Sequence, residues 1–401
     1  MSENSAIVES PPFTRAYADR FLELSHGRGC RLWDSAGSSY LDFGSGISVN
    51  ALGYGRKDLS RIAAKQMRRL IHVSNLYTTR PAVDLAARLV ALGEFAAVHF
   101  GNSGSEANET AIKFARLYAK RTAGEKKTKL LCFENAFHGR TLGALSVTPT
   151  EKYQAPFGPL LQGIGVGSFG DVGSLEVLDS GEYCAVIVEP IQGEGGLHTL
   201  DGEFAKSLND ACRRNDVLII ADEIQTGLGR CGFALASRAV GLDPDIVTLS
   251  KPLAAGLPLS ATLIPNRVNE LIATGEHGTT FGGGPVTTNV ALKVTEILLE
   301  PDFLRGVQKR AKYLSERLEG IVGTTDGIEE VRGLGMLRGL GVSEERADTI
   351  GNIVSESQDE GLLILRSGKR VIRIAPPLII KESEIDEGIG ILEKVIRRAL
   401  G

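Results

Sequence analysis

The sequence predicts an α/β protein in which a mainly parallel sheet forms a large domain and the two ends of the chain form a smaller α/β domain. At 401 residues the chain is too long for one small core. Between residues 96 and 265 short apolar runs alternate with helical segments, a rhythm typical of strands covered on both faces by crossover helices. The predicted strands are 96–100, 129–133, 185–188, 217–221, 246–249 and 259–264.

The rest of the chain predicts the smaller domain. Residues 284–323 have the pattern of two helices separated at Pro301, and short strands follow near 328–342 and 362–375, with helices between and after them. We therefore expect an N-terminal segment that contributes to the small domain, a large domain, and a linking helix followed by the C-terminal small domain. These three parts are 1–45, 46–285 and 286–401.

Composition favours a small-molecule ligand. Lys and Arg number 45 against 49 Asp and Glu, a net charge of −4, and no basic stretch is interleaved with aromatic residues as a nucleic-acid face requires. No run has the pattern of a secretory signal or the length of a membrane span. The five cysteines are widely spaced, and neither CxxC nor HExxH occurs. We expect a cytoplasmic protein with reduced thiols, no metal site, and no nucleic-acid or membrane partner.

Two strand ends carry groups suited to chemistry. Lys251 follows the predicted strand 246–249, and Asp222 follows 217–221. Burial lowers the pKa of a lysine, so that a neutral amine becomes available to attack a carbonyl. Pyridoxal phosphate requires a lysine as its Schiff-base partner and a carboxylate beside its pyridinium nitrogen. Either residue alone is more often a solvated strand end or half of a surface ion pair, so the prediction depends on the other motifs.

A phosphate site is predicted after the strand 96–100. In the glycine-rich segment 101–108, Ser103 and Glu106 fit a capping box that opens a helix through about residue 118. Free N–H groups and the helix dipole at this N-terminus suit a phosphate dianion, and glycine at 104 permits close backbone approach. An ordinary capped helix is the alternative.

Four further residues are candidates for binding. Phe137 either stacks on a flat ring or belongs to the core. Arg140 stands in a glycine-flanked loop, where a substrate carboxylate is a suitable bidentate partner. Strand alternation places Arg373 on an apolar face, so it needs an anion, either a structural carboxylate or a ligand. Glu194 is a candidate to alternate with substrate in that role.

A different class of function is suggested by Gly227-Leu-Gly-Arg-Cys-Gly232, which matches the GxGxxG pattern of dinucleotide-binding oxidoreductases. In that fingerprint the glycines follow the strand directly, whereas here residues 222–226 intervene. The acidic residues at 243 and 245 also come too early for the usual ribose partner. A phosphate-binding module without catalysis is a third interpretation, but it gives Lys251 and Asp222 no role.

Seven strings spread over nearly the whole chain resemble those of the class III, ornithine-type pyridoxal-phosphate aminotransferases, which implies a fold-type I enzyme. The strings are GNSGSEANE (101–109), FHGRTLGALS (137–146), VIVEPIQGEGG (186–196), IIADEIQTGLGR (219–230), DIVTLSK (245–251), HGTTFGG (277–283) and IRIAPPL (372–378). Among subfamilies, GISVNALG (46–53) and FHGRTLG look most like the enzymes of arginine biosynthesis that pass the δ-amino group of N-acetylornithine to 2-oxoglutarate.

The resemblance implies roles around the cofactor. Lys251 would be the Schiff-base partner and later shuttle the substrate proton, and Asp222 would keep the pyridine nitrogen protonated. Gln225 would bond the ring hydroxyl. The remaining residues of the cofactor site would be Ile224 and Phe137 against the ring, Gly104 and Ser105 at the phosphate, and His138. Thr280 would reach the phosphate of the neighbouring subunit, which implies a homodimer with shared sites.

The resemblance also implies how substrates bind. Arg140 would bind the carboxylate remote from the reacting carbon, and Arg373 the α-carboxylate of 2-oxoglutarate or glutamate. Glu194 would neutralise Arg373 while acetylornithine reacts, and then move aside for the dicarboxylate. One site would thereby serve both halves of a ping-pong cycle.

Three departures from the family pattern bear on substrate identity. The usual Gly-His-x-His-Pro is Gly53-Tyr-Gly-Arg-Lys57, the usual glycine after the lysine is Pro252, and the usual asparagine of FGGNP is Gly284. In the family these positions lie near the substrate entrance or the dimer contacts. Ornithine, 4-aminobutyrate, succinylornithine and N-acyl-diaminopimelate therefore remain alternative donors, to be separated by a pocket around residues 17–24, 49–52 and 75–79.

Overall fold

The structure, a computed structural model, describes residues 14–16 and 22–400, so residues 17–21 of the predicted specificity pocket and most of the first twenty-one residues lie outside the described part. The strands are β1 (Leu24–Arg28), β2 (Arg31–Asp34), β3 (Ser39–Asp42), β4 (Ala97–Gly101), β5 (Lys129–Phe133), β6 (Ile164–Gly167), β7 (Tyr183–Val188), β8 (Leu218–Asp222), β9 (Ile246–Leu249), β10 (Ser260–Ile264), β11 (Ile328–Leu334), β12 (Leu337–Val342), β13 (Leu362–Leu363), β14 (Leu365–Ser367) and β15 (Val371–Ile374).

The α-helices connect and cover these strands. They are α1 (Ser45–Ser48), α2 (Lys57–Arg69), α3 (Arg80–Val90), α4 (Gly104–Ala123), α5 (Leu142–Ser146), α6 (Glu151–Gln154), α7 (Gly202–Arg214), α8 (Ala236–Ala239), α9 (Asn266–Asn269), α10 (Pro285–Leu298), α11 (Pro301–Val322), α12 (Ile350–Asp359) and α13 (Glu382–Leu400). Short 3-10 helices cover Ala155–Phe157, Val172–Ser180 and Glu344–Thr349.

A seven-stranded sheet forms the centre of the fold, in the order β4-β10-β9-β8-β7-β5-β6. The five strands β9, β8, β7, β5 and β6 run parallel to one another, and β10 is antiparallel to both β9 and β4. Strands β7 to β10 are buried along their whole lengths, because helices cover both faces, and they therefore appear in the sequence as continuous apolar runs. The predicted α/β fold with a mainly parallel sheet is confirmed.

The prediction omits β6, at the edge of this sheet. Its sequence, Ile164-Gly-Val-Gly167, offers only two apolar side chains, and its single neighbour in the sheet is β5. Glycine weakens strand patterns because it has no side chain to pack. An edge strand with two glycines therefore has little of the apolar signal that identifies the buried strands.

Helix boundaries follow the predicted capping signals. In α4 the Ser103 side chain accepts a hydrogen bond from the Glu106 N–H, and the Glu106 side chain caps in return, as a capping box requires. The helix continues to Ala123, five residues beyond the predicted end at 118, and Gly124 follows it. Helices α10 and α11 are separated just before Pro301, as expected.

The described chain also forms two four-stranded sheets. Their strand orders are β1-β2-β3-β13 and β11-β12-β15-β14. Strand β13 pairs in parallel with β3, with Leu362 opposite Leu41, so the N-terminal and C-terminal parts of the chain share one sheet. In the other sheet Arg373 of β15 lies opposite Gly339 of β12.

All five cysteines are free and buried in the described fold. Burial raises the pKa of each thiol, for example to about 12 for Cys132, so these side chains behave as small core residues. Among the described helices, none combines the length and the apolar character needed to cross a membrane.

Candidate active site

A cavity of about 200 Å³ lies at the carboxyl ends of the parallel strands, where ligands of such sheets bind. Nine of the predicted site residues line it: Gly104, Ser105, Phe137, His138, Glu194, Asp222, Ile224, Gln225 and Lys251. The remaining lining residues are Ser103, Gly139, Glu189, Ile191, Thr226 and Ser250. Residues from five different segments, between Ser103 and Lys251, thus converge.

Lys251 enters the cavity two residues after β9 ends. Burial, the largest influence, lowers the pKa of its ammonium to about 8, while Glu194 and Arg373 act in opposite directions on it. The neutral amine is therefore accessible near neutral pH, as a nucleophile or a proton acceptor requires.

Asp222, at the end of β8, is oriented by three hydrogen bonds. Its Oδ2 accepts from the Asn108 side chain at 2.8 Å and lies 2.8 Å from His138 Nδ1, and its Oδ1 accepts from the Ile224 N–H at 3.1 Å. Asn108 is fixed in turn, since its Oδ1 accepts from Thr248 on β9 at 2.9 Å. The carboxylate is thus buried in a defined orientation.

The amino end of α4 faces the same cavity. The N–H groups of its first turn lack helical acceptors, and the helix dipole favours an anion there. A Cβ atom at Gly104 would come within 2.8 Å of the Ile224 side chain, so only glycine leaves this approach open. Ser105 adds a hydroxyl, which accepts the Arg140 N–H at 3.2 Å. The donors and the space suit a phosphate group.

Arg373 lies on β15, is only 3% exposed, and is not among the residues that line the cavity, although its partner Glu194 is. Its Nη1 donates to Glu194 Oε1 at 2.5 Å and to the Gly193 carbonyl at 2.9 Å. Its Nε is buried and has no hydrogen-bond partner among residues 14–16 and 22–400. The Glu194 side chain is 37% exposed. Arg373 therefore has one partner that can move into solvent and an N–H that no described residue satisfies.

Three residues of the site have no role in the prediction. Glu189 accepts the N–H groups of Phe137 at 3.0 Å and of Gly193 at 3.2 Å, and burial raises its pKa well above the usual range. Asn108 holds Asp222, and Ser48 accepts the Gln225 amide at 3.2 Å. All three stand inside family-like strings, but only the folded chain shows which partner each one contacts.

Thr280 does not lie in this cavity. It borders a separate cavity of about 150 Å³ with His72, Asn75 and Tyr77. Within one chain it therefore does not meet the groups around Lys251.

The segment 227–232, which matches GxGxxG, does not form a dinucleotide cradle. Residues 224–231 form turns, and the next helix is the single turn α8. Arg230 is 1% exposed and donates to the carbonyls of Pro376 at 2.6 Å and Met336 at 3.2 Å. The glycines serve a turn that buries this arginine against the C-terminal part of the chain.

The comparisons with known proteins identify the family. The family model for class III aminotransferases matches residues 13–396, and the chain belongs to this family. The mitochondrial acetylornithine aminotransferase of Alnus glutinosa is 42% identical over 381 residues, which cover 94% of this chain and 84% of that protein.

Solved structures of aminotransferases are also similar to this chain. The N-acetylornithine aminotransferase of Stenotrophomonas maltophilia K279a is 32% identical, with a TM-score of 0.84 and coverage of 95% of this chain and 96% of that one. The ornithine aminotransferase of Toxoplasma gondii ME49 is 31% identical, with a TM-score of 0.91 and coverage of 96% and 92%.

The protein is therefore a pyridoxal-phosphate-dependent aminotransferase. When bound, the cofactor supplies a carbonyl that takes up an amino group and a protonated ring that withdraws electrons from the reacting carbon. The residues present fit this group: an amine at Lys251, a buried carboxylate at Asp222, and the N-terminus of α4 for the phosphate.

Proposed function

We propose that the protein transfers the δ-amino group of N2-acetyl-L-ornithine to 2-oxoglutarate, giving N-acetylglutamate semialdehyde and glutamate. The observation that carries the proposal is the pairing of Arg373 with Glu194, which lines the cavity together with Lys251. The donor carries no carboxylate on its reacting carbon, whereas glutamate does. Arg373 paired with Glu194 suits acetylornithine, and Arg373 freed from Glu194 suits glutamate. The 42% identity to an acetylornithine aminotransferase supports the same donor.

In this proposal Lys251 and Asp222 carry out the chemistry. Lys251, with its lowered pKa, holds the cofactor and then moves a proton at the carbon that bears the amine. Asp222, oriented by Asn108, stabilises positive charge at the ring nitrogen. Gln225, Ile224, Phe137 and His138 position the ring, and Gly104 and Ser105 bind the phosphate.

Two arginines select the carboxylates. Arg140 binds the carboxylate remote from the reacting carbon in either substrate, and Arg373 binds the α-carboxylate of glutamate after Glu194 has moved into solvent. The partial exposure of Glu194 supports this exchange, because water replaces the arginine as its partner.

We also propose that the active unit is a homodimer. Residues 71–79 and 279–284 lie together, since the Asn75 side chain donates to the Thr279 carbonyl at 2.8 Å. This surface exposes large apolar side chains, among them Leu76 at 86%, Tyr77 at 72% and Phe281 at 67%, and such patches mark interaction sites. Thr280 lies in the same surface, which suits the expected contact with the phosphate of the neighbouring subunit. The buried free cysteines support a reducing compartment such as the cytoplasm.

The donor is tested in single half-reactions. N-acetylornithine, ornithine, 4-aminobutyrate, succinylornithine, an N-acyl-diaminopimelate and glutamate are mixed separately with the cofactor-loaded enzyme, and the loss of absorbance of the lysine-bound cofactor is followed. We expect acetylornithine and glutamate to react fastest. A faster reaction with ornithine or 4-aminobutyrate would keep the aminotransferase and replace the donor.

A further inference from the structure

The guanidinium of Arg140 lies over an aromatic ring that the proposed function does not use. Its Cζ is 3.6 Å from the centre of the Tyr153 ring and 5.4 Å from the centre of the Phe137 ring. Arg140 is exposed, in contrast to Arg373, which is buried and paired with Glu194. Aromatic faces support the charge of a guanidinium and leave the N–H groups at its edge available for a carboxylate.

Tyr153 belongs to a helix that is attached to the segment after Arg140. It lies in α6, and the neighbouring Gln154 side chain donates to three backbone carbonyls, at 2.9, 3.3 and 3.0 Å, which are those of Leu145, Ser146 and Thr148. These bonds attach α6 to the end of α5 and the residues that follow it. Helix α5 begins two residues after Arg140. The helix that carries the ring is thus attached to the segment that follows the arginine.

Arg140 is held at its backbone as well. Its N–H donates to Ser105 Oγ at 3.2 Å, which ties it to the amino end of α4. The main chain of Arg140 is therefore held by α4, and its guanidinium is held by Tyr153. Ordering a free arginine side chain costs conformational entropy, so an arginine that is already ordered binds its ligand more tightly.

We propose that Tyr153 is a positioning residue for substrate binding: it holds the Arg140 guanidinium so that its edge receives the carboxylate at the far end of an amine substrate. This inference rests on the proposed function, in which Arg140 binds that carboxylate. Tyr153 acts through Arg140 and touches neither the cofactor nor the reacting amine.

The test uses two amines that share a reacting group and a chain length and differ in the carboxylate, 5-aminopentanoate and n-pentylamine. Their half-reactions are measured over a concentration series with the cofactor-loaded wild type and with Tyr153→Leu. From the strength of an exposed cation–π contact, Tyr153→Leu raises the half-saturating concentration of 5-aminopentanoate about two- to fivefold. The maximal rate and the values for n-pentylamine stay unchanged. Tyr153→Phe, which keeps the ring, behaves as wild type.

Several outcomes overturn the proposal. The proposal is wrong if Tyr153→Leu affects both amines equally, or if Tyr153→Phe is as impaired as Tyr153→Leu. It is also wrong if the wild type reacts no faster with 5-aminopentanoate than with n-pentylamine. Tyr153→Met repeats the test if the leucine variant does not fold, as judged by cofactor absorbance and thermal unfolding. The donor is assessed separately, because a wild type inert towards acetylornithine refutes the proposed donor, while the ratio of the two simple amines still reports on Tyr153.

Discussion

Replacing Arg373 with methionine should separate the two half-reactions. Methionine keeps much of the side-chain length and removes the charge. The Gly193 carbonyl loses one donor but still accepts the Ser367 hydroxyl at 2.8 Å. Glu194, 37% exposed, can turn into solvent when its partner is gone. We therefore expect Arg373→Met to fold and to retain the cofactor.

The size of the effect follows from the contacts of Arg373. A glutamate α-carboxylate that displaces Glu194 would gain up to two charge-assisted hydrogen bonds, since Nε has no partner in the described structure. Such bonds contribute about 1.5–3 kcal/mol each. Breaking the ion pair between Arg373 and the partly exposed Glu194 reduces this gain by about 1 kcal/mol. The net loss of about 2–5 kcal/mol corresponds to a fall of roughly 30- to 5000-fold in kcat/KM for glutamate. Acetylornithine should change by no more than about threefold, because it presents no carboxylate there.

Rapid-mixing measurements of each half-reaction test this prediction. Arg366→Met is the matched control, because Arg366 is exposed on the adjoining strand β14 and lies outside the cavity. If Arg373→Met impairs acetylornithine as much as glutamate, then Arg373 contributes to the site in general and the exchange with Glu194 is refuted.

Other predictions address the chemistry, its support and the assembly. Lys251→Ala should abolish transamination, and borohydride should no longer fix the cofactor to the peptide containing residue 251, as mass spectrometry would show. In the cofactor-free protein, the pKa of Lys251 is about 8 in the folded chain, against an ordinary value of 10.5. Between these pH values the unfolded chain binds one more proton than the folded chain, so the free energy of unfolding rises with pH. Lys251→Met should therefore unfold at a higher temperature than the wild type at pH 7, and the difference should narrow towards pH 10; a constant difference would contradict the lowered pKa. Asn108→Ala should lower kcat roughly tenfold or more by releasing Asp222, with cofactor content measured in parallel and normal kcat as the contrary result. Leu76→Asp should shift the protein towards monomers in sedimentation, whereas Val172→Asp, at another exposed apolar residue, should not.

The sequence predicts the central sheet because burial on both faces leaves a simple pattern. Strands β5 and β9 have the predicted bounds, and β7, β8 and β10 differ by one or two residues at their starts or ends. The polar residues that end these strands are predictable for the same reason, since parallel strands bring their carboxyl ends to one edge. The edge strand β6 lacks that apolar signal.

Partners that meet only in the folded chain are less predictable. Nothing local to Tyr153 indicates that its ring lies under Arg140, and nothing local to Ser48 indicates that it accepts the Gln225 amide. Ser48 ends the short helix α1, in which residues 45–48 all have positive φ, although only Gly46 favours that region. Such backbone is stable only when surrounding contacts impose it, so no short-range rule predicts it.

The arrangement separates the chemistry from the choice of substrate. Asp222 ends a buried strand and is fixed by Asn108, and Lys251 follows another buried strand, so their geometry depends on the sheet. Arg140 and Glu194 lie on loops and are accessible to solvent. Glu194 can leave Arg373 by a side-chain movement, while Gly193 still holds the arginine. In the proposed function, substrates with different carboxylates can therefore alternate without any shift of Lys251 or Asp222, which is what a two-substrate cycle on one site requires.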